Sequence, residues 1–169
     1  HLYGFFSKID ELDKYCNGDY YYHTNFLNYF NAIKENFKKI IENNDNKRII
    51  FSGHSVGGSV GLLCALITKL KYPNRIVKFV SFGTPSGCCQ KTAELVNNTI
   101  DECIQYKHKY DYIPILSLKS LFERAGKSII LKDAFDNSKS KSYYFYHKME
   151  TYYSCIISDN QDTNESSLY

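Results

Sequence analysis

The chain has 169 residues, of which 43% are hydrophobic, so it is long enough for one domain with one core and too short for two. Its net charge of +3 is spread along the sequence. The short basic clusters at 38–39 and 139–141 lack the length and aromatic interleaving of a nucleic-acid interface. Composition and charge therefore exclude nucleic acid as a predicted partner.

Helical periodicity, strand-like apolar runs and turn residues predict seven elements in chain order. The uninterrupted Ile49-Ile50-Phe51 indicates that the first strand is buried. The alternation favours an α/β fold with a mostly parallel sheet and helices on both faces. The elements are a helix at 22–43, a strand at 48–52, a helix at 55–71, a strand at 76–82, a helix at 90–99, and strands at 103–107 and 128–131.

Residues 1–157 are predicted to form a single domain, with a polar surface loop at 136–142 and a frayed polar tail at 158–169. The longest apolar stretch, residues 60–67, is far too short to cross a bilayer.

The six cysteines include no C-x-x-C pair, which argues against a structural zinc site, and no cofactor is predicted. Adjacent Cys88 and Cys89 do not easily pair with each other, whereas a disulfide from Cys16 to either of them stays open. The cellular compartment is left undecided.

The segment Gly53-His54-Ser55-Val56-Gly57 carries the strongest chemical signal in the chain. A serine becomes nucleophilic when a base takes its proton and hydrogen-bond donors await the product charge. A strained strand-turn-helix with flanking glycines, which leave no Cβ to collide with neighbouring elements, meets this need. Ser55 is therefore predicted as a nucleophile, and the backbone N–H of Val56 as an oxyanion donor at the helix N-terminus.

Two histidines follow Ser55, and the order Ser, acid, His favours His147 over His108 as the base. The leading candidate for the acid is Asp111, which follows the strand at 103–107 in a loop at its carboxyl end, where ligand-facing residues collect. Asp133 remains the main alternative. His54 adjoins the nucleophile and is expected to point away from it, in a packing role.

Five ordered segments resemble the class 3 lipase family, the fungal-type triacylglycerol lipases and their relatives. Together they run from the first residue to about Tyr153. They are Ile49 to Gly58, similar to a strand followed by G-H-S-x-G-G; Val80 to Pro85, similar to F-G-x-P; Tyr110 to Pro114, similar to D-x-[VI]-P; His147 with Tyr152-Tyr153; and His1 with Gly4-Phe5, similar to H-x-G-F.

The resemblance implies an α/β-hydrolase fold and a Ser55, Asp111, His147 triad that hydrolyses carboxylic esters, often of lipids. It implies that the substrate is a lipid ester or another ester. A transient contact of the protein with a membrane or lipid interface stays open. In this family the first strands, the other oxyanion donor and the lid precede the H-x-G-F element. We therefore expect a sheet truncated on its N-terminal side, exposed apolar surface and little or no activity for this chain alone.

Two further functions use the same residues. A lipase-like protein can keep the fold as a catalytically silent interaction or lipid-binding module, and a thioesterase or acyltransferase can use the same triad. The ordered presence of all three candidates favours the esterase.

Overall fold

The computed structural model describes residues 4–116, 121–135 and 141–165. A short antiparallel ribbon and a 3₁₀-helix at Asp10–Lys14 precede the main α/β unit. The strands are β1 (Phe6–Lys8), β2 (Tyr21–His23), β3 (Arg48–His54), β4 (Ile76–Phe82), β5 (Glu102–His108) and β6 (Lys127–Leu131). The helices are α1 (Thr24–Glu42), α2 (Val56–Lys71), α3 (Gln90–Thr99), α4 (Ile113–Leu116), α5 (Tyr143–His147) and α6 (Met149–Glu165).

Strands β3 to β6 form a parallel sheet in sequential order, so each strand lies beside the next one along the chain. Parallel neighbours require crossover connections, and α2 and α3 supply the first two of them. The carboxyl ends of all four strands consequently meet at one edge of the sheet. That edge is where side chains from distant parts of the sequence come together.

Helices pack against both faces of the sheet, as the sequence predicts, although they do not cover every strand on both sides. Val77 and Phe79 of β4 pack into the larger core with side chains of α1, α2 and α3. Phe82 has the opposite parity along β4 and packs into a smaller core with Tyr152 and Cys155 of α6. Burying a large apolar side chain such as Phe79 contributes roughly 1.5–3 kcal/mol. The predicted α/β class is confirmed.

The prediction that the first sheet strand is buried is wrong. β3 is an edge strand of the described sheet, and most of its residues alternate between exposed and half-buried. Ile50 is 61% exposed because its face of β3 is not covered by a helix. A short uninterrupted apolar run does not reveal how many neighbours a strand will have.

Some of the other expectations about local structure are confirmed and others are not. β4 and α3 have the predicted bounds, and α6 carries helical backbone to Glu165, into the segment predicted as a polar tail. Most of the predicted loop at 136–142 lies outside the described residues. All six cysteines, which lie within the described ranges, are free thiols. No helix in the described part of the chain is long and apolar enough to cross a membrane.

Candidate active site

Ser55 occupies a strained turn between β3 and α2. Its φ of 53° makes it the one non-glycine residue with a positive φ in the described ranges, and such a position costs on the order of 1–3 kcal/mol. The backbone N–H of Ser55 donates to the carbonyl of Phe82 at 3.0 Å, which ties the turn to the end of β4. The side chain is thereby held at the carboxyl edge of the sheet.

The two flanking glycines differ in what they permit. A Cβ on Gly53 would lie 2.5 Å from the carbonyl oxygen of Gly57, so any side chain there would force the strand and helix apart. A Cβ on Gly57 would meet no heavy atom within 4 Å in the described structure. The expectation that both glycines are sterically required is therefore wrong for Gly57, which lies in the open first turn of α2.

His147 connects Ser55 to Asp111 through both of its ring nitrogens. Its Nε2 lies 2.8 Å from the Ser55 hydroxyl oxygen, and its Nδ1 lies 2.9 Å from Oδ2 of Asp111. An ionised carboxylate can only accept, so Nδ1–H donates to Asp111 and Nε2 is free to accept the serine proton. This is the arrangement that lets an imidazole act as a general base.

Asp111 is buried and held from several directions. Its Oδ1 accepts the backbone N–H of Ile113 at 2.9 Å, and its own N–H donates to the carbonyl of His108 at 3.0 Å. Tyr152 donates its hydroxyl to Oδ2 at 2.7 Å. Burial raises the pKa of Tyr152, which keeps this hydroxyl protonated and able to donate. The carboxylate therefore has three hydrogen-bond donors when His147 is included.

The sequence reasoning named Tyr152 only as part of the segment that resembles the family beside His147, and it assigned this residue no role in the site. Tyr152 is fully buried in α6, whereas the adjacent Tyr153 is 64% exposed. The sequence offers one weak signal, because Tyr152 and Cys155 share an apolar helix face at a spacing of three. Nothing in the sequence indicates that this face reaches Asp111.

His54 points away from Ser55, as expected from its place next to the nucleophile. Its Nε2 donates to the backbone carbonyl of His147 at 2.6 Å, and the two rings lie with centroids 4.7 Å apart. His54 therefore fixes the backbone of His147, the last residue of α5.

The two rival candidates lie against each other. Nε2 of His108 is 3.6 Å from Oδ1 of Asp133, and both side chains are buried. Burial lowers the pKa of His108, against the opposing effect of Asp133. The structure therefore brings Ser55, Asp111 and His147 together and places His108 behind Asp111.

Val56 is the first residue of α2. The first N–H groups of a helix have no partner within that helix, so the N–H of Val56 is available to a ligand beside Ser55. The helix dipole adds a partial positive charge at this position. A negatively charged oxygen bound there would be stabilised.

Comparison with known families gives a match over most of the chain. The family described as Lipase (class 3) matches residues 2–121, which include Ser55 and Asp111 and end before His147. No curated protein is significantly similar to the chain in sequence.

Solved structures of fungal lipases resemble the fold. The lipase of Rhizopus microsporus var. chinensis aligns with a TM-score of 0.65 and 19% identity, covering 74% of this chain and 45% of that one. The triacylglyceride lipase of Rhizomucor miehei aligns with a TM-score of 0.61 and 22% identity, covering 70% and 47%. The mono- and diacylglycerol lipase of Aspergillus oryzae aligns with a TM-score of 0.61 and 19% identity, covering 80% and 50%. The chain thus spans about half the length of these proteins.

Proposed function

The chain belongs to the class 3 lipase family, and we propose that it is a serine hydrolase that cleaves carboxylic esters through Ser55, His147 and Asp111. The observation that carries the proposal is the continuous hydrogen-bonded series from the strained Ser55 through both nitrogens of His147 to the buried Asp111. A surface serine with an unrelated histidine nearby would need neither the strained turn nor a buried carboxylate.

In the proposed reaction, Oγ of Ser55 attacks the ester carbonyl carbon while its proton passes to Nε2 of His147. Asp111 keeps the imidazole in the correct tautomer and stabilises the imidazolium. The N–H of Val56 is proposed as one donor to the oxyanion. Collapse of the tetrahedral intermediate expels the alcohol, which takes the proton from Nε2, and water then repeats the sequence to release the acid.

Exposed apolar side chains next to each member of the triad support an ester with an apolar acyl chain. Val56 follows Ser55, Tyr112 follows Asp111 and is 57% exposed, and Met149 lies two residues after His147. We propose that these exposed apolar side chains contact the acyl chain of the substrate. A lipid ester fits this requirement better than a small polar ester.

A fluorophosphonate probe tests the nucleophile directly. Ser55 should displace fluoride and become covalently labelled, and mass spectrometry should locate the phosphonate on Ser55. Ser55→Ala should not be labelled, whereas Ser52→Ala, an exposed serine of β3, should be labelled like wild type. A folded wild-type chain that resists labelling would contradict the enzyme assignment and favour a catalytically silent module.

Substrate class is tested with p-nitrophenyl esters of increasing acyl length and with the matching thioesters. We expect hydrolysis to become faster as the acyl chain lengthens and oxygen esters to be preferred. Fastest hydrolysis of the acetate, or a preference for thioesters, would count against a lipid ester.

A further inference from the structure

A second histidine–carboxylate contact lies directly behind Asp111. His108 is the last residue of β5 and is 1% exposed, and Asp133 follows β6. Their closest polar atoms, Nε2 and Oδ1, are 3.6 Å apart, longer than a hydrogen bond. Within the described ranges, Nε2 of His108 and Oδ2 of Asp133 have no hydrogen-bond partner. Oδ1 of Asp133 lies 3.1 Å from the N–H of Phe135, which fixes the carboxylate.

The backbone determines the tautomer of His108. The N–H of Tyr110 donates to Nδ1 of His108 at 3.2 Å. A ring nitrogen that accepts carries no proton, so in the neutral ring the proton resides on Nε2 and faces Asp133. This is the same tautomer argument that applies to His147, with the two ring nitrogens exchanged.

The backbone of His108 is joined to Asp111 by two routes. Its carbonyl accepts the N–H of Asp111 at 3.0 Å, and its N–H donates to the hydroxyl of Tyr152 at 3.2 Å. That hydroxyl donates in turn to Oδ2 of Asp111. The ring of His108 stacks on Tyr146 at 4.7 Å and 16°, and Tyr146 precedes His147 in the chain. His108 therefore contacts the supports of both the acid and the base.

We propose that His108, which faces Asp133, is a positioning residue that fixes the turn carrying Asp111, and that protonation of Nδ1 releases this turn. This inference rests on the proposed ester hydrolysis for its functional meaning. Its geometric content, the tautomer of His108 and the placement of Asp111 against His147, can be read without turnover.

Acid acts on the turn through the Tyr110 hydrogen bond. Protonation adds a hydrogen to Nδ1, which then faces the N–H of Tyr110 as a second donor and breaks that bond. Asp133 and Asp111 favour the charged ring, whereas burial and Lys109 oppose it, and burial dominates, lowering the pKa of His108. The tyrosines 110, 146 and 152 are titratable groups that also pack near the ring or backbone of His108.

Nitrogen NMR of the histidine rings in the full ¹⁵N-labelled chain tests the arrangement. Near neutral pH, His108 should carry its proton on Nε2 and none on Nδ1, and His147 should show a downfield Nδ1 proton hydrogen-bonded to Asp111. A proton on Nδ1 of neutral His108 would overturn the proposal whatever the variants do.

Two substitutions of His108 distinguish the effect of its Nδ1 acceptor from the effect of the rest of the imidazole ring. In His108→Asn the side-chain oxygen reaches the place of Nδ1 and still accepts the Tyr110 N–H. In His108→Gln the amide lies further out and that acceptor is lost. We expect the Asn variant to keep the downfield His147 proton and a labelling rate close to wild type. The Gln variant should weaken or lose that proton and be labelled about 10- to 100-fold more slowly, the scale expected when a catalytic group is misplaced.

The acid limb of the labelling rate supplies a second measurement. In wild type the labelling rate should fall more steeply with decreasing pH below the pKa of His108, and in His108→Asn this steepening should be absent. Asp133→Asn removes a charge that raises the pKa of His108, so the steepening should move to lower pH. The proposal would be overturned if the folded Asn and Gln variants were labelled at the same rate and the labelling rate depended on acidic pH in the same way in all variants and wild type. If the His147 proton follows the expected pattern but wild type is not labelled, the ester hydrolysis fails while the role of His108 stands.

Discussion

Removing one oxygen atom, in Tyr152→Phe, tests how far the buried tyrosine supports the Asp111 carboxylate. The hydroxyl donates to Oδ2 at 2.7 Å and accepts the N–H of His108 at 3.2 Å, so the substitution breaks two hydrogen bonds. The phenylalanine ring fills the same volume among Phe82, Tyr106 and Leu131, and the smaller core should remain packed.

The expected loss of stability follows from those two bonds. A hydrogen bond to a charged group contributes roughly 1.5–3 kcal/mol, and leaving a buried donor unsatisfied costs about 1–3 kcal/mol. Because neighbouring contributions are not additive, we expect the free energy of unfolding to fall by about 3 kcal/mol. For a domain of this size that corresponds to a decrease in Tm of roughly 6–12 °C.

The measurement is thermal unfolding of wild type and Tyr152→Phe by circular dichroism, together with fluorophosphonate labelling. Tyr153→Phe is the matched control because this side chain is 64% exposed, and it should change stability by less than about 0.5 kcal/mol. Labelling of Tyr152→Phe should slow on the order of tenfold. The Asp111 carboxylate still accepts hydrogen bonds from His147 and one backbone N–H, but without the tyrosine hydroxyl its position is less well fixed. A Tyr152→Phe protein as stable as its Tyr153→Phe counterpart, with labelling unchanged, would refute the reasoning.

Four other substitutions test three separate parts of the site. Asp111→Asn should slow labelling by about 10⁴-fold with the fold retained, because its amide group would donate to Nδ1 of His147 and leave the wrong tautomer; a loss below tenfold would contradict this. Gly53→Ala should prevent stable folding, whereas Gly57→Ala should be neutral or stabilising by up to about 1 kcal/mol, as thermal melts would show, and equal effects would contradict the glycine geometry. Because the pKa of His108 is lowered below its ordinary value of about 6.5, the unfolded chain binds a proton that the folded chain does not. Stability should therefore decline as the pH falls through about 6.5, and urea unfolding of His108→Asn should show a weaker decline than wild type; parallel curves would contradict the shift.

Much of the fold could be predicted because its signals are local. Apolar periodicity and turn residues lie within one element, so the bounds of β4 and α3 match the structure and the α/β class is confirmed. The exposure of β3 could not be predicted, since it depends on the number of neighbouring strands. The space for a Cβ atom at Gly57 also depends on where neighbouring atoms lie, and the motif alone does not give their positions.

The sequence by itself determined that Ser55 is the candidate nucleophile, because a strand, a glycine-flanked turn and a helix are contained in one short segment whose strain is local. Chain order and strand ends favoured Asp111 and His147 but left Asp133 and His108 as alternatives. Only the tertiary structure placed His147 against Ser55, 92 residues away, and against Asp111, 36 residues away. It alone brought Tyr152 to the carboxylate, because the parallel sheet gathers its strand ends at one edge and α6 packs across them. Such contacts depend on how distant elements pack against one another, and the residue pattern of a single segment does not reveal that packing.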